Sequence, residues 1–284
     1  MPDRVGSTKR ESIRDLLKAR PRRGQVDLAA IDPAETNGVK RHESDERTLA
    51  DEEHIMALQE NLHAEGKRSI LIVLQGMDTS GKDGTIRYAL RGLNPQGVRI
   101  TSFKAPTLSE RRHHFLWRIR RQLPKPGEIV IFNRSHYEDV LIAKVRELAS
   151  PKVIDDRYEV INRFEADLVK RGTTIVKLFL HISADEQRAR LLARLGEPAK
   201  HYKFSRNDIS ERRYWDDYQE AYSVALGRCS SAAAPWFVIP ANRKWYRNWA
   251  VTQLLIETME EMKLTYPNPN LDIRALKKSL QAAA

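Results

Sequence analysis

The sequence predicts an α/β fold: a five-stranded parallel sheet with helices packed on both faces. Three observations predict it. Five short apolar runs recur along the chain without the alternation of a half-exposed strand, which is how strands buried on both faces read. Stretches of helical period separate these runs, and strand–helix alternation at this spacing leads to parallel pairing. The first run ends in a glycine-rich turn that opens a helix.

Residues 1–66 carry no strand signal. Their opening is basic, with Arg4, Lys9, Arg10, Arg14, Lys18, Arg20, Arg22 and Arg23. Asp3, Glu11 and Asp15 interrupt the pattern of a transit peptide and no secretory apolar core follows, so the segment reads as a flexible or partner-binding arm. Ile55, Leu58 and Leu62 recur at helical spacing within 49–62, and Gly66 supplies a stop. The strands are expected at 69–75, 98–103, 129–132, 174–182 and 236–239. Helices are expected at 82–91, 109–123, 137–148, 156–171 and 184–195, with longer ones at about 208–228 and 242–262. The small-residue linker 230–235 is too short to separate domains, and the tail beyond Pro267-Asn268-Pro269 reads as a weakly packed helix. The expected organisation is an arm and helix at 1–66, a core at 67–264 with a lid at about 188–212, and a tail at 265–284.

Composition narrows the class. With 41% hydrophobic and 31% charged residues over 284 positions, the chain is too apolar for wholesale disorder. No apolar run approaches the roughly 18–20 residues of a membrane-spanning helix. Cys229 is the only cysteine, which excludes an intrachain disulfide framework and a zinc–thiolate cluster. That usage suits a reducing compartment, so a cytoplasmic location is expected. Lys and Arg number 49 against 38 Asp and Glu, a net charge of +11. A surplus of this size favours a polyanionic partner: nucleic acid, an anionic membrane surface or a phosphate-rich substrate.

The strongest local signal is Gly76-Met77-Asp78-Thr79-Ser80-Gly81-Lys82-Asp83-Gly84, between the first strand and its helix. Its first seven residues satisfy the phosphate-binding loop pattern G-x-x-x-x-G-K, in the strand-before, helix-after context that pattern requires. Glycines let the backbone curl so that N–H groups converge on phosphate oxygens, the helix adds its positive end, and Lys82 supplies a compact charge. A Ser or Thr normally follows the lysine and holds magnesium; here Asp83 stands there. A carboxylate is a competent hard-oxygen ligand, so metal holding shifts to Asp83 and Asp78.

Ligands in an open parallel sheet sit beyond the carboxyl ends of the strands. That places Asn133 and Arg134, which end the third run, at the same edge as the loop. Arg134 carries a fork of donors suited to a phosphate. Glu138 and Asp139 follow one turn on, as site carboxylates or as acids favoured by a helix N-terminus. Lys104, after the second strand, is at the ligand edge by the same topology. His113 and His114 are sequence neighbours and cannot face one metal from one helix face, so they read as surface or hydrogen-bonding residues. The stretch Arg188-Ala189-Arg190-Leu191-Leu192-Ala193-Arg194, continuing through Lys200, His201 and Lys203 to Asp208, is dense enough in cations to close over a polyanion as a lid. Trp215, Tyr218 and Tyr222 recur at helical spacing, a stripe more typical of core than of a nucleobase platform.

The combination resembles the polyphosphate kinase 2 family. The 76–84 loop is similar to that family's glycine-rich loop, including the aspartate after the lysine. Phe132-Asn133-Arg134-Ser135-His136-Tyr137-Glu138-Asp139-Val140 resembles its second motif, in the form of the subgroup that phosphorylates both nucleoside mono- and diphosphates. Pro198, Lys200, Lys203, Ser205 and Asp208 match the lid pattern, and Pro235-Trp236 with the 240–245 run resembles the C-terminal part. One departure is His114, where the family pattern has aspartate.

The resemblance implies a P-loop kinase-like three-layer sandwich with a five-stranded parallel sheet, a helical lid and an N-terminal helical extension. It implies phosphoryl transfer from inorganic polyphosphate to ADP and AMP, reversibly, with Mg2+ as cofactor and guanine nucleotides as further candidates. Asp78, Lys82, Arg134 and Asn133 would be catalytic, and Asp78 and Asp83 metal-holding. Gly76, Met77, Thr79, Ser80, Gly81, Asp83, Gly84, Lys104, Arg194, Lys200 and Lys203 would bind phosphates, and Glu138 and Asp208 the nucleotide. Neither nucleic acid nor membrane is an expected partner, and a homo-oligomer, dimer or tetramer, is expected. Two alternatives stay open. One is an ATP-dependent nucleotide or small-molecule kinase on the same fold. The other is a nucleic-acid-binding protein, although no stretch resembles a recognised nucleic-acid module.

Overall fold

The structure, a computed structural model, describes residues 11–268 and 270–282, with all of their side chains except those of Arg47, Lys203 and Arg206. Asp3, Arg4, Lys9 and Arg10 of the expected arm and Pro269 of the tail lie outside the described residues, as does the Lys203 side chain. In chain order the elements are α1 (Ile13–Leu17), α2 (Arg41–Glu65), β1 (Ser69–Gln75), α3 (Lys82–Tyr88), β2 (Val98–Ser102), α4 (Trp117–Arg120), β3 (Ile129–Asn133), α5 (Ile142–Val145) and α6 (Pro151–Lys170). They continue with β4 (Thr173–His181), α7 (Ala184–Gly196), α8 (Arg206–Glu211), α9 (Trp215–Arg228), β5 (Trp236–Pro240), α10 (Lys244–Glu261) and α11 (Ile273–Ala282).

The five strands pair in parallel in the order β2-β3-β1-β4-β5. β1 lies at the centre, and all seven of its residues are buried. Each of its large aliphatic side chains stabilises the fold by about 1.5–3 kcal/mol through removal from water. The chain leaves β1 toward β2 and β3 on one side and then crosses to β4 and β5 on the other. That reversal opens a crevice beyond the carboxyl end of β1. The register pairs Leu74 with Asn133, so β1 and β3 end side by side.

The five expected strands all form, with ends shifted by at most one residue. The helices differ more. The single helices expected at 109–123 and 137–148 are broken. In the first, a 3-10 turn at Glu110–Arg112 is followed by extended backbone at His113, and only α4 is α-helical. His113 stacks on Trp117 at 4.2 Å, and Leu116 is drawn into the core. In the second, a 3-10 turn at His136–Asp139 ends at Val140 and α5 follows after Leu141. Burial of His136 and Tyr137 tightens that turn. The helix expected at 208–228 is divided by a 3-10 turn at Arg212–Tyr214, where Arg212 donates to the Ala184 carbonyl and to Gln187 Oε1.

The arm is not free from residue 11 onward. Glu257 accepts from Ser12 Oγ (2.6 Å) and from the amides of Ile13 (3.0 Å) and Arg14 (3.1 Å), so a carboxylate sits on the first turn of α1. Ile13, Leu17, Val26 and Leu28 are buried in the common core, and Ala19 N donates to the Trp236 carbonyl at the edge of β5. These apolar residues have no regular spacing, which is why the segment read as a flexible arm. The α2 helix is longer than expected and ends at Gly66 in the left-handed conformation. α11 forms with its apolar side chains exposed.

One polar cluster is set in the core. Lys177 Nζ on β4 donates to Glu165 Oε2 (2.5 Å), the Cys229 carbonyl (2.5 Å) and the Tyr137 hydroxyl (3.0 Å). Tyr137 and His136 also reach Glu165 Oε1, at 2.8 and 3.2 Å. Burial works to raise the Glu165 pKa, but the Lys177 charge and the His136 hydrogen bond prevail and hold it below the ordinary carboxylate value. Lys177→Met would strand a buried carboxylate and should lower unfolding free energy by about 3–5 kcal/mol. The Lys177→Met, Glu165→Leu pair should recover most of that loss. Urea unfolding at pH 7 checks both, and an unchanged midpoint for the single variant would contradict the account.

Candidate active site

The loop after β1 is shaped by positions that tolerate no side chain or need an unusual backbone. A Cβ at Gly76 (φ +151°) would lie 2.8 Å from the Leu180 carbonyl oxygen and 2.7 Å from Ser80 Oγ, distances that only glycine escapes. Thr79 (φ +64°) and Gly81 (φ +103°) are left-handed. The Ser80 N–H donates to the Met77 carbonyl at 3.0 Å and closes the turn. Lys82 curls back over the loop, its Nζ donating to the carbonyls of Gly76 (2.7 Å) and Met77 (3.2 Å). Burial lowers the Lys82 pKa, with Asp78 opposing. Thr79 Oγ1 and Ser80 Oγ are buried, with no hydrogen-bond partner among the described residues.

The end of β3 supplies the opposite wall. The Arg134 N–H donates to the Leu74 carbonyl at 3.0 Å, which continues the β1–β3 ladder one residue past the strand. Asn133 Nδ2 then donates to Asp83 Oδ1 at 2.9 Å. Arg134 adopts φ +62°, a conformation that costs a non-glycine residue on the order of 1–3 kcal/mol. The turn aims its guanidinium at Asp78 (Nη2 to Oδ1, 3.2 Å) and Glu138 (Nη1 to Oε2, 3.9 Å). Burial works to lower the Arg134 pKa, but those two carboxylates outweigh it and raise it.

A cavity of about 160 Å³ lies between these walls. Ile142 on α5, Gln187 on α7, Asn207, Asp208 and Glu211 on α8, and Tyr218 and Tyr222 on α9 complete its lining. Gln187 Nε2 donates to the Asp78 carbonyl at 3.2 Å, and Tyr218 OH donates to Glu211 Oε2 at 3.3 Å. Burial raises the Tyr218 and Tyr222 pKa values, which keeps both phenols protonated. A larger cavity of about 750 Å³ lies elsewhere, lined by residues such as Lys144, Glu147, Tyr158 and Arg228. It contains none of the loop, so the chemistry identifies the smaller cavity as the candidate site.

The structure therefore brings together Gly76, Met77, Asp78, Arg134, Glu138 and Asp208 around one cavity, with Lys82, Asp83 and Asn133 on the loop and strand end that bound it. Asp208 also caps α8 through Ser205, and Arg194 lies 3.9 Å from it. It does not bring in Lys104, which is exposed and whose carbonyl accepts from Arg118, nor Lys200, which pairs with Glu197 at 2.5 Å in solvent. Gly84 packs on Arg247 rather than facing the cavity. His114 accepts the Leu116 N–H at Nδ1 (3.3 Å). Sequence reasoning missed Ile142, Gln187, Asn207 and Glu211 as lining and read Tyr218 and Tyr222 as a core stripe, because lid and helix residues converge here only through the fold. It read Arg190 as a lid cation and did not single out Arg247; both hold the loop from outside, Arg190 Nη1 donating to the carbonyls of Thr79 (2.9 Å) and Ser80 (3.0 Å).

Magnesium is bound through one or two carboxylates plus substrate phosphates rather than by a closed protein cage. Among the described residues no three His, Cys, Asp or Glu side chains form such a cage. Asp78 and Asp83, hard-oxygen donors beside the loop, fit the open arrangement.

Burial raises the Glu138 pKa despite Arg134 and Lys82. The folded chain thus holds this proton more tightly than the unfolded chain. That favours folding below the unfolded carboxylate pKa, and the benefit is lost as pH rises through the folded value. Glu138→Gln removes the titration, so its stability relative to the native sequence should increase between pH 4 and pH 7. Urea unfolding at both pH values checks this; a difference that is constant or shrinks would contradict it.

The family model described as Polyphosphate kinase 2 (PPK2) matches residues 38–267. The chain is 48% identical to an AMP/ADP-polyphosphate phosphotransferase of Meiothermus ruber, over 87% of this chain and 93% of the relative. It is 44% identical to an ADP-polyphosphate phosphotransferase of Rhodopseudomonas palustris, over 76% and 78%. The crystal structure of polyphosphate kinase 2 from Arthrobacter aurescens TC1 superposes with a TM-score of 0.91 at 43% identity, covering 96% of this chain and 98% of that one. With the loop, the strand end and most of the chain length all matched, the chain belongs to the polyphosphate kinase 2 family.

Proposed function

We propose that this protein transfers phosphoryl groups between inorganic polyphosphate and nucleotides, with ADP and AMP as acceptors and magnesium as cofactor. The observation that carries the reading is the joining of the phosphate loop to the β3 end through the Arg134–Asp78 and Asn133–Asp83 contacts. The net charge of +11 suits a long polyanion, and the names of the relatives support both acceptors.

The acceptor is a nucleotide phosphate, largely ionised at neutral pH because its second pKa is about 6. No general base is required, so catalysis is positioning plus charge neutralisation. The loop amides and Lys82 hold the transferring phosphates, with Lys82 exchanging loop carbonyls for phosphate oxygens. Arg134 exchanges Asp78 for a phosphate and braces the charge in flight, while Asn133 keeps Asp83 oriented. Asp78 and Asp83 would hold magnesium, which neutralises phosphate charge when bound. The cavity's far wall, with Glu138, Asp208, Tyr218 and Tyr222, faces the nucleotide. No helix of the described residues is long and apolar enough to cross a membrane. We place the enzyme in the cytoplasm as a homo-oligomer, with no nucleic-acid or membrane partner.

The test is a luminescent ATP assay with polyphosphate, magnesium, and either ADP or AMP. ATP should form from both acceptors and be abolished by Lys82→Ala. Asp78→Asn should lower turnover roughly 100-fold or more, in the range seen when one group that stabilises transition-state charge is removed. Omission of magnesium should abolish turnover. ATP from ADP alone would overturn the dual-acceptor reading. Transfer from ATP to another acceptor, with polyphosphate inert, would overturn the donor.

A further inference from the structure

Arg247 on α10 is buried, at 3% exposure. Its hydrogen bonds go to Asn248 Oδ1 (3.1 Å from Nε, 2.7 Å from Nη2) and to the Ser80 carbonyl (3.5 Å from Nη1). None of these partners is a carboxylate. Its neighbour is another cation: a Cβ at Gly81 would lie 1.8 Å from Arg247 Nη1 and 3.7 Å from Arg190 Nη1. Arg190 has Glu186 as counter-ion (2.7 Å) and spends its remaining donors on the carbonyls of Thr79, Ser80, Ala241 and Asn242. Burial, and after it the neighbouring Arg190 charge, lowers the Arg247 pKa to about 10. Arg247 thus keeps its charge at neutral pH without an anionic partner among the described residues, an arrangement a fold retains only at a cost.

Two guanidinium groups therefore meet at one peptide group of the loop. Both donate to the Ser80 carbonyl. In a trans peptide the C=O and the following N–H point in opposite directions, so holding this carbonyl outward turns the Gly81 N–H inward. A cation on the carbonyl also polarises the unit and strengthens its N–H as a donor. The close approach adds to the left-handed backbone in favouring glycine at position 81, and leaves position 84 tightly placed. Gly81 has no room for a Cβ against Arg247, and a Cβ at Gly84 would lie 3.1 Å from Arg247 Nη2.

We propose that Arg247 is a positioning residue for the phosphate loop, one that fixes the Ser80–Gly81 peptide and keeps an uncompensated positive charge behind it whose counter-charge is the phosphate of the substrate. The inference deepens the proposed function and rests on the loop binding polyphosphate.

Arg247→Met and the native chain are compared by thermal unfolding and by calorimetric titration with sodium tripolyphosphate, both at fixed ionic strength. Removing an unpaired buried cation should leave the midpoint without ligand unchanged or higher. The dissociation constant for tripolyphosphate should rise tenfold or more, and the midpoint gain on adding it should shrink accordingly. A residue that merely supports the fold gives the reverse: a lower midpoint without ligand and a tripolyphosphate affinity within twofold of native. That result would overturn the inference. If Arg247→Met does not fold, Arg247→Gln is read by its titration in the same way, since it keeps an amide donor for Ser80 but not the charge. A native chain that fails to bind tripolyphosphate would overturn the proposed function along with this inference; native binding with an unaffected variant would overturn this inference alone.

Discussion

The parallel register of β1 and β3 is the constraint on which the site depends. Leu74 pairs with Asn133, and the ladder runs one bond further, from the Arg134 N–H to the Leu74 carbonyl. A slip of one residue would turn Asn133 and Arg134 to opposite faces. With the register in place, Asp78 reaches Arg134 and Asp83 reaches Asn133 across the crevice, and the loop and strand end act as one unit. The register is fixed in turn by the burial of β1 on both faces, which leaves its aliphatic side chains no alternative environment.

Buried charge is used in two contrasting ways. Around Lys177 every charge is answered: one lysine, one glutamate, a tyrosine, a histidine and a backbone carbonyl lie within hydrogen-bond reach of one another. The cluster also anchors His136 and Tyr137, and so the turn that carries Arg134 and Glu138. Behind the phosphate loop one charge is not answered among the described residues: Arg190 pairs with Glu186, but Arg247 beside it meets only uncharged acceptors. Compensation within the protein favours rigidity. Compensation left to a ligand converts the cost of burying a cation into binding energy for an anion.

The strands and the loop were legible in the sequence because each is a local signal. Ser69–Gln75 is a continuous apolar run that meets a glycine, and the loop pattern needs only seven consecutive residues. The broken helices at 109–123 and 137–148 were not legible. What breaks them is the burial of Leu116, His136 and Tyr137 by elements distant in sequence. The basic density of the lid misled in part. Arg190 and Arg194 had equal claims on a substrate by composition, yet Arg190 holds loop carbonyls and Arg194 lies beside Asp208. Arg247 did leave a trace, as an arginine on the helix face shared by Ala250, Val251 and Leu254, but a one-dimensional reading cannot show what it faces.

The central claim is that the small cradle between the loop and β3, and not the larger cavity near Lys144 and Arg228, receives the phosphates. A crystal structure with tripolyphosphate and AMP tests it most directly. The account predicts phosphate density against the Gly81 amide and Lys82 Nζ, with Arg134 drawn from Asp78 to a phosphate oxygen and the Arg247–Ser80 contact retained. Phosphate seated in the larger cavity, or in the cradle with the Arg134–Asp78 pair intact and Lys82 still on its own loop carbonyls, would contradict it.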